Sequence, residues 1–308
     1  MQYHKVVLAG GNGYLGKVLA QYYKELASEV IILSRKPASA INNITTIVWD
    51  GKTEGDWVKA LESADLLINL CGKNVNCRYT PQNKQEIISS RIVPTTLLGK
   101  VIAGLSRAPK LWINVTSATI YRHAEDHAQD EATGEIGYGF SIDVCKQWEQ
   151  TFFDTVTPDT RKVALRMGIV LGHSDGVFPR LLNLVKLGMG GKQGDGEQYV
   201  AWVHEHDVAR ITDWLMQNTD IDGVINCTAP EAVKNHELMR LIRRAYGIPV
   251  GLPAPQWLLE IGAMVIGTET ELILKSRWVA PKRLLDAGFR FQFPQAQHAI
   301  HDILSIKN

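Results

Sequence analysis

Cysteine is scarce in this chain: Cys71, Cys77, Cys145 and Cys227 are the only four in 308 residues. None stands in a Cys-x-x-Cys pair, so no metal site is expected, and reduced thiols in a cytoplasmic compartment are the default. Net charge is also lacking. The 33 Lys and Arg against 32 Asp and Glu leave +1, which gives no general electrostatic case for nucleic acid or an anionic membrane as partner. No apolar run approaches the roughly 18 residues of a membrane-spanning helix. The segment Gln256 to Ile266 is too short and carries Glu260. The N-terminus shows no charged, apolar and small-residue order of a secretory signal, and no internal repeat or low-complexity linker is visible. What is present is ordinary for a globular protein with ample core, 45% hydrophobic and 21% charged.

Against that background Gly10-Gly11-Asn12-Gly13-Tyr14-Leu15-Gly16 stands out. It follows the apolar run Val6-Val7-Leu8-Ala9 and opens an amphipathic segment from Tyr14 to Leu26. A strand, a glycine turn and a helix start in that order make a cradle for a dinucleotide pyrophosphate. Gly10 permits the tight turn, Gly13 lets the phosphates approach the backbone, and Gly16 lets the helix pack on the strand. The helix start offers unused N–H groups and the positive end of its dipole.

The next apolar run, Val30-Ile31-Ile32-Leu33, ends in Ser34-Arg35-Lys36. A site selective for NAD places an acidic residue about 20 residues past the glycines, to hold the ribose 2′-hydroxyl. A hydroxyl and two cations stand here instead. A carboxylate would repel a 2′-phosphate, whereas Arg35 can grip it with a planar fork of donors. The expected cofactor is NADP(H).

Strand-like runs at 5–9, 29–34, 45–49, 66–70, 110–115 and 162–166 alternate with helix-like segments near 14–26, 56–62, 81–105 and 141–154. The strands are rich in Val, Ile and Leu with little alternation, as parallel strands covered on both faces are. Pro94 is expected to interrupt or kink its helix. Together these predict an α/β fold with a doubly wound parallel sheet. Beyond it, helix-like segments at 178–188, 207–217, 235–246 and 256–266 surround short strands near 199–203 and 223–226. The division expected is 1–170 for the cofactor domain and 171–308 mostly for a smaller substrate lobe, with some of 199–226 returning to the sheet.

Further strand ends look suited to chemistry. Leu70-Cys71-Gly72 closes the fourth strand, Gly72 giving a cofactor room. Ser117 to Tyr121 sets hydroxyls at the carboxyl edge of the fifth. Asp207 reads as the N-cap of a helix after Trp202-Val203-His204-Glu205-His206. The pieces GGNGYLG, NLCG, TSATIY, LRMGIVLG and WVHEHDVA, in that order, resemble the extended short-chain dehydrogenase/reductase superfamily. The stretches NLCGKNVNCRYT, KQEIISSRIVPTT, CKQWE and SRWVAPKRLLDAGFRFQFP narrow the resemblance. They are similar to the atypical "epimerase family" subgroup, named for its likeness to sugar-nucleotide epimerases and carrying a C-terminal extension that the tail from about 250 to 304 resembles. The resemblance implies a Rossmann domain, NADP(H) binding through Gly10, Asn12, Gly13, Tyr14, Leu15, Gly16, Ser34, Arg35, Lys36, Leu70, Cys71 and Gly72, and a small-molecule substrate. It leaves room for a homodimer through the helices that follow strands four and five.

The superfamily's Tyr-x-x-x-Lys pair is missing. Tyr138 is followed by Ile142 at the lysine position, and alignment on Trp148-Glu149 instead puts Ser141 and Cys145 at the two positions. An unassisted tyrosine, with a pKa of about 10, stays a neutral phenol at neutral pH. Ser117 and Tyr121 are the expected catalytic residues, Ser117 first. Lys73, Lys84 and His123 are further candidates, Cys145 is either a packed helical cysteine or a redox thiol, and Arg180 is either a solvated arginine or a contact for an anionic substrate. The loop Gly190 to Gly196 reads as a lid or as ordinary surface. Two functions remain open at this stage. One is an NADP(H)-dependent oxidoreductase or epimerase acting on a small carbonyl, alcohol or sugar nucleotide. The other is a non-catalytic NADP(H)-dependent sensor or interaction protein.

Overall fold

The apolar runs become the strands of one parallel sheet in the computed structural model, which describes residues 1–257, 259–260 and 271–305. Among them, β1 (Tyr3–Ala9), β2 (Ala27–Ser34), β3 (Ile44–Val48), β4 (Leu66–Asn69), β5 (Leu111–Ser117), β6 (Arg161–Met167) and β10 (Gly223–Cys227) lie in the order β3-β2-β1-β4-β5-β6-β10. Every pairing is parallel, with Val6 beside Val30 on one side and beside Leu66 on the other. The winding reverses between β1 and β4, which opens a crevice at the carboxyl ends of those two strands.

Helices cover both faces. On one lie α1 (Tyr14–Tyr23) and α6 (Glu205–Gln217), which bury Leu19, Tyr23, Val208, Ile211 and Leu215 against the sheet. On the other, α2 (Val58–Leu61), α3 (Pro81–Ala103) and α4 (Phe140–Asp154) pack Leu61, Leu98, Val101 and Phe152 around Trp49, Trp57 and Trp112. This double cover is why the strands read as continuous apolar runs. The expected break at Pro94 does not occur: α3 runs through it, with Pro94 buried. Burial of the ring offsets the lost backbone bond. Thr80 starts this helix, its Oγ1 accepting the Asn83 N–H at 3.2 Å.

A third apolar cluster lies beyond β6. It joins β7 (Ile169–Leu171), α5 (Phe178–Lys186), β9 (Trp202–His204), α7 (Asn235–Tyr246) and α10 (Ala296–Ser305) through Phe178, Val185, Trp202, Met239, Ile242, Phe293 and Ile300. Short β8 (Tyr199–Val200) pairs with β11 (Val233–Lys234), and two short helices, α8 (Glu271–Leu274) and α9 (Lys282–Asp286), precede α10. Of the helix expected at 256–266, positions 258 and 261–266 lie outside the described residues. The loop Gly190 to Gly196 is laced down: Gly191 N–H donates to the Leu252 carbonyl, Gly194 N–H to Ala254, and His236 N–H to Gly196.

Asp207 corrects a second expectation. It is not the cap of α6. His204 is, its Nδ1 accepting the His206 N–H at 3.1 Å, because the helix begins a turn earlier than its apolar pattern. Asp207 is instead fully buried, and its carboxylate accepts N–H groups from Gln292 at 2.9 Å and Phe293 at 2.8 Å. Arg210 donates to it at 2.8 Å. Asp207→Ala strands those backbone donors and is expected to cost about 3 kcal/mol. Amide exchange at Gln292 and Phe293 should accelerate before the rest of the chain responds; unchanged protection there would contradict this role.

Candidate active site

The glycine turn occupies the crevice between β1 and β4. Gly10 has φ +72°, and a Cβ there would meet Cys71 Sγ at 2.8 Å. Conformation and close approach both demand glycine. A Cβ on Gly16 would fall 2.1 Å from the Gly11 carbonyl oxygen, so α1 can sit against the turn only without one. A Cβ on Gly13 would meet nothing within 4 Å. Gly13 is also the N-cap of α1 and supplies no side-chain cap, which leaves the first N–H groups directed at open space. These are the properties of a pyrophosphate cradle. Asn12 is exposed beside it, and Leu15 is half-buried against the sheet. The Tyr14 hydroxyl turns away, hydrogen-bonded to Glu205 across the space above Gly172. Burial and that carboxylate raise its pKa far above the usual range. Gly16→Ala should therefore lower thermal stability and NADPH affinity together, and a loss of one without the other would separate helix packing from cradle shape.

At the end of β2, Ser34 is buried and its Oγ accepts the Lys36 N–H at 3.2 Å, while Arg35 and Lys36 stand exposed. Burial pushes the Cys71 thiol up to about 12, and Arg35 pulls it back. Arg35 thus lies within electrostatic reach of the cradle. Leu70 and Cys71 are half-buried on the β4 side, Leu70 N–H donating to the Ala9 carbonyl. Gly72 is exposed, and the space of its missing side chain is taken by Arg91, whose guanidinium carbon lies 3.2 Å from where a Cβ would be.

At the end of β5, Ser117 is half-buried and its Oγ accepts the Thr119 N–H at 3.2 Å, shaping the turn at Ala118–Ile120. Tyr121 is placed differently from Ser117. Only 2% exposed, its hydroxyl donates to Asn226 Oδ1 at 3.0 Å and accepts from Arg166 Nη1 at 2.8 Å. Arg166 in turn makes a two-pronged pair with Glu149, at 2.9 and 2.7 Å, and Thr116 donates to the same carboxylate. Burial raises the Tyr121 pKa against the pull of Arg166. The hydroxyl is therefore part of an interior network rather than an open edge.

On α4, Ser141 hydrogen-bonds with the Tyr79 hydroxyl at 3.2 Å and donates to Glu271 at 3.4 Å. Cys145 is buried, its thiol pushed up to about 12 by desolvation, so it is neutral. Tyr138 is 93% exposed and precedes the helix, while Ile142 is buried. Lys73 is held by Asn83 and Glu86, Lys84 lies over the Phe140 ring, and His123 Nδ1 accepts the Ser276 N–H. Arg180 is exposed on α5.

Sequence reasoning used the stretch from Ser276 for the resemblance and missed that the segment from 275 to 280 reaches the site. That segment threads between the loop after β5 and the start of β8. Ser276 Oγ donates to the Ala124 carbonyl at 2.6 Å, Arg277 N–H to Tyr199 and Ala280 N–H to Gln129. Trp278 stacks on Tyr199 with ring centres 4.2 Å apart. It thereby brings Lys275, whose Nζ donates to the Thr119 carbonyl at 2.9 Å, to the edge that holds Ser117. Burial, then Arg277, lower the Lys275 pKa to about 8. No pattern near residue 117 could announce a group so far along the chain.

Residues 6–228 match the family described as "NAD dependent epimerase/dehydratase family", and residues 254–303 match a domain of unknown function, DUF1731. The epimerase family protein SDR39U1 of Bos taurus is 30% identical over 306 residues, covering 98% of this chain and 100% of its own. The crystal structure of human SDR39U1 (isoform 2) with NADPH superposes with a TM-score of 0.87 at 28% identity, over 98% of this chain and 100% of that one. The nucleoside-diphosphate sugar epimerase from Corynebacterium glutamicum gives a TM-score of 0.77 at 26% identity, over 98% of this chain and 58% of that one.

Proposed function

We propose, for a chain that belongs to the NAD dependent epimerase/dehydratase family, an NADP(H)-dependent oxidoreductase or epimerase. Its substrate is a small carbonyl or alcohol compound or a sugar nucleotide. The observation that carries this reading is the open cradle at Gly13, continued by Arg35 at the end of β2. The backbone of Gly10, Asn12, Gly13, Tyr14, Leu15 and Gly16 holds the pyrophosphate. Ser34, Arg35 and Lys36 hold the 2′-phosphate. Leu70, Cys71 and Gly72 flank the cofactor on the β4 side. When bound, NADP(H) supplies or takes up hydride. The human relative crystallised with NADPH supports the cofactor.

Ser117 orients the reacting oxygen. Because the Tyr121 hydroxyl is committed to Arg166 and Asn226, we assign the proton to a water-linked group beside Ser117 and give Tyr121 a positioning role. Residues 1–170 supply the cofactor domain and 171–308 most of the substrate side. The test is titration with NADPH and NADH, followed by carbonyl and sugar-nucleotide panels with cofactor absorbance as readout. Selective NADPH binding with substrate-dependent oxidation is expected. The second reading, a sensor without catalysis, is favoured by α4 presenting Ser141 and Cys145 where a tyrosine and lysine would serve. Tight binding without turnover across the panel identifies it.

A further inference from the structure

We infer that the end of α7 and the turn after it form a receptor for a phosphoryl group on a small soluble anion, built from Arg240, Arg243 and Arg244. The inference stands apart from the NADP(H) reading, since none of these residues belongs to the cofactor cradle.

Charge is balanced over the whole chain but not over this part of it. Residues 176–194 and 238–259 contain no Asp or Glu, while Arg180, Lys186, Lys192, Arg240, Arg243 and Arg244 all fall in those two stretches. The fold joins the stretches. Leu252 N–H donates to the Gly188 carbonyl at 2.8 Å, Gly191 N–H to Leu252 at 3.0 Å, and Arg243 Nη1 to Gly190. In this acid-free region the three arginines line one cleft of about 380 Å³, together with Gly247, Ile248 and Pro249. Spacings of three and four residues set them on one side of α7. The volume is at the low end for a ligand cleft, which suits one or two phosphates rather than a macromolecule.

Helix-end chemistry does not account for the cluster. Gly247, at φ +82°, already caps α7: its N–H reaches the Arg243 and Arg244 carbonyls, and the Ile248 N–H reaches the Arg243 carbonyl at 2.9 Å. Arg240 is neutralised by a two-pronged pair with Glu237, at 2.7 and 2.6 Å. Arg243 and Arg244 are not, for among the described residues no carboxylate pairs with either. Arg243 gives one donor to the neutral Gly190 carbonyl, and its Nε is enclosed with no acceptor. Arg244 stands exposed at the cleft. Two uncompensated guanidinium charges on adjacent residues repel each other until an anion joins them. A phosphoryl group fits both requirements, since its oxygens match the planar forks of donors and its double charge matches the pair.

The experiment is calorimetric titration of the full chain with inorganic pyrophosphate, with and without saturating NADPH. Saturable binding is expected under both conditions. Arg244 is exposed, so its replacement leaves the core intact. Arg244→Gln should weaken pyrophosphate about tenfold, the loss of charge-assisted bonds, and Arg244→Glu should abolish its binding. Lys59→Gln, an exposed cation on α2, should leave it within about twofold, which separates a site from general attraction. NADPH affinity should not change in any of the three. On the wild-type chain alone, the backbone amide resonances of Gly247 and Ile248 should shift as pyrophosphate is added, so the inference stays testable if a variant fails to fold. Absence of saturable binding, or binding that survives Arg244→Glu, overturns it. Binding that NADPH displaces also overturns it, with shifts then confined to the start of α1, since the anion occupies the cofactor's cradle.

Discussion

Arg35→Asp is expected to weaken NADPH binding by roughly 10- to 100-fold and to strengthen NADH binding, inverting the preference. Arg35 is exposed at the end of β2, and the buried Ser34 hydroxyl fixes the turn by accepting the Lys36 N–H. The guanidinium can meet a 2′-phosphate with two parallel donors. Charge-assisted bonds of this kind are worth about 1.5–3 kcal/mol, which is the source of the expected factor. The aspartate reverses the sign of the contact: it repels the phosphate and accepts from a free 2′-hydroxyl. Arg35→Lys keeps the charge and loses the fork, so it should fall between the two. Fluorescence titration with both cofactors decides the matter. Undiminished NADPH affinity in Arg35→Asp would mean that the 2′-phosphate is held elsewhere.

Glu149→Ala is expected to be the most damaging single change to stability, at about 3–5 kcal/mol, or roughly 10 °C in melting temperature. Glu149 and Arg166 are each about nine-tenths buried and share two short contacts. Removing the carboxylate leaves the guanidinium charged in the interior, since an arginine does not neutralise. It also takes the acceptor from Thr116 and loosens Arg166 from Tyr121. The loss should be non-additive. Glu149→Leu with Arg166→Met removes both charges, and the double variant should recover much of what the single one forfeits. Thermal unfolding of wild type, Glu149→Ala and the double variant tests this. A Glu149→Ala melting point within about 2 °C of wild type would show that water solvates the pair.

The parallel strands are legible along the whole sheet, β3, β4 and β6 within one residue of expectation at each end. Val6 to Ala9, the glycine turn and Val30 to Leu33 all use short-range chemistry, apolar runs bounded by residues that cannot continue them, and β1, α1 and β2 sit within a few residues of expectation. The interruption expected at Pro94 fails because the penalty for a helical proline is local while the burial that offsets it is tertiary. Asp207 was misjudged for a related reason: capping chemistry and tail-clamping chemistry use the same side chain, and only the position of Phe293 distinguishes them. Tyr121 shows the limit at the site itself. Its place in the chain suggested an open edge, but Arg166 and Asn226, on neighbouring strands, claim both of its hydrogen bonds. Lys275 gives no signal, since nothing near it in the chain says that its ammonium reaches the Thr119 carbonyl.

The threaded segment at 275–280 also bears on the order in which the molecule comes together. The phosphate cradle is built from β1, α1 and β2, all within the first 34 residues, and is closed by β4 at Cys71, still within the first 71. The reaction edge needs Thr119 to find Lys275 across 156 positions, and the clamp needs Asp207 to find Phe293 across 86. Closing a long loop is entropically unfavourable until the contacts it brings are made, so such pairings consolidate late. During folding, the chain acquires a place for a nucleotide well before it acquires a place for anything to react with it.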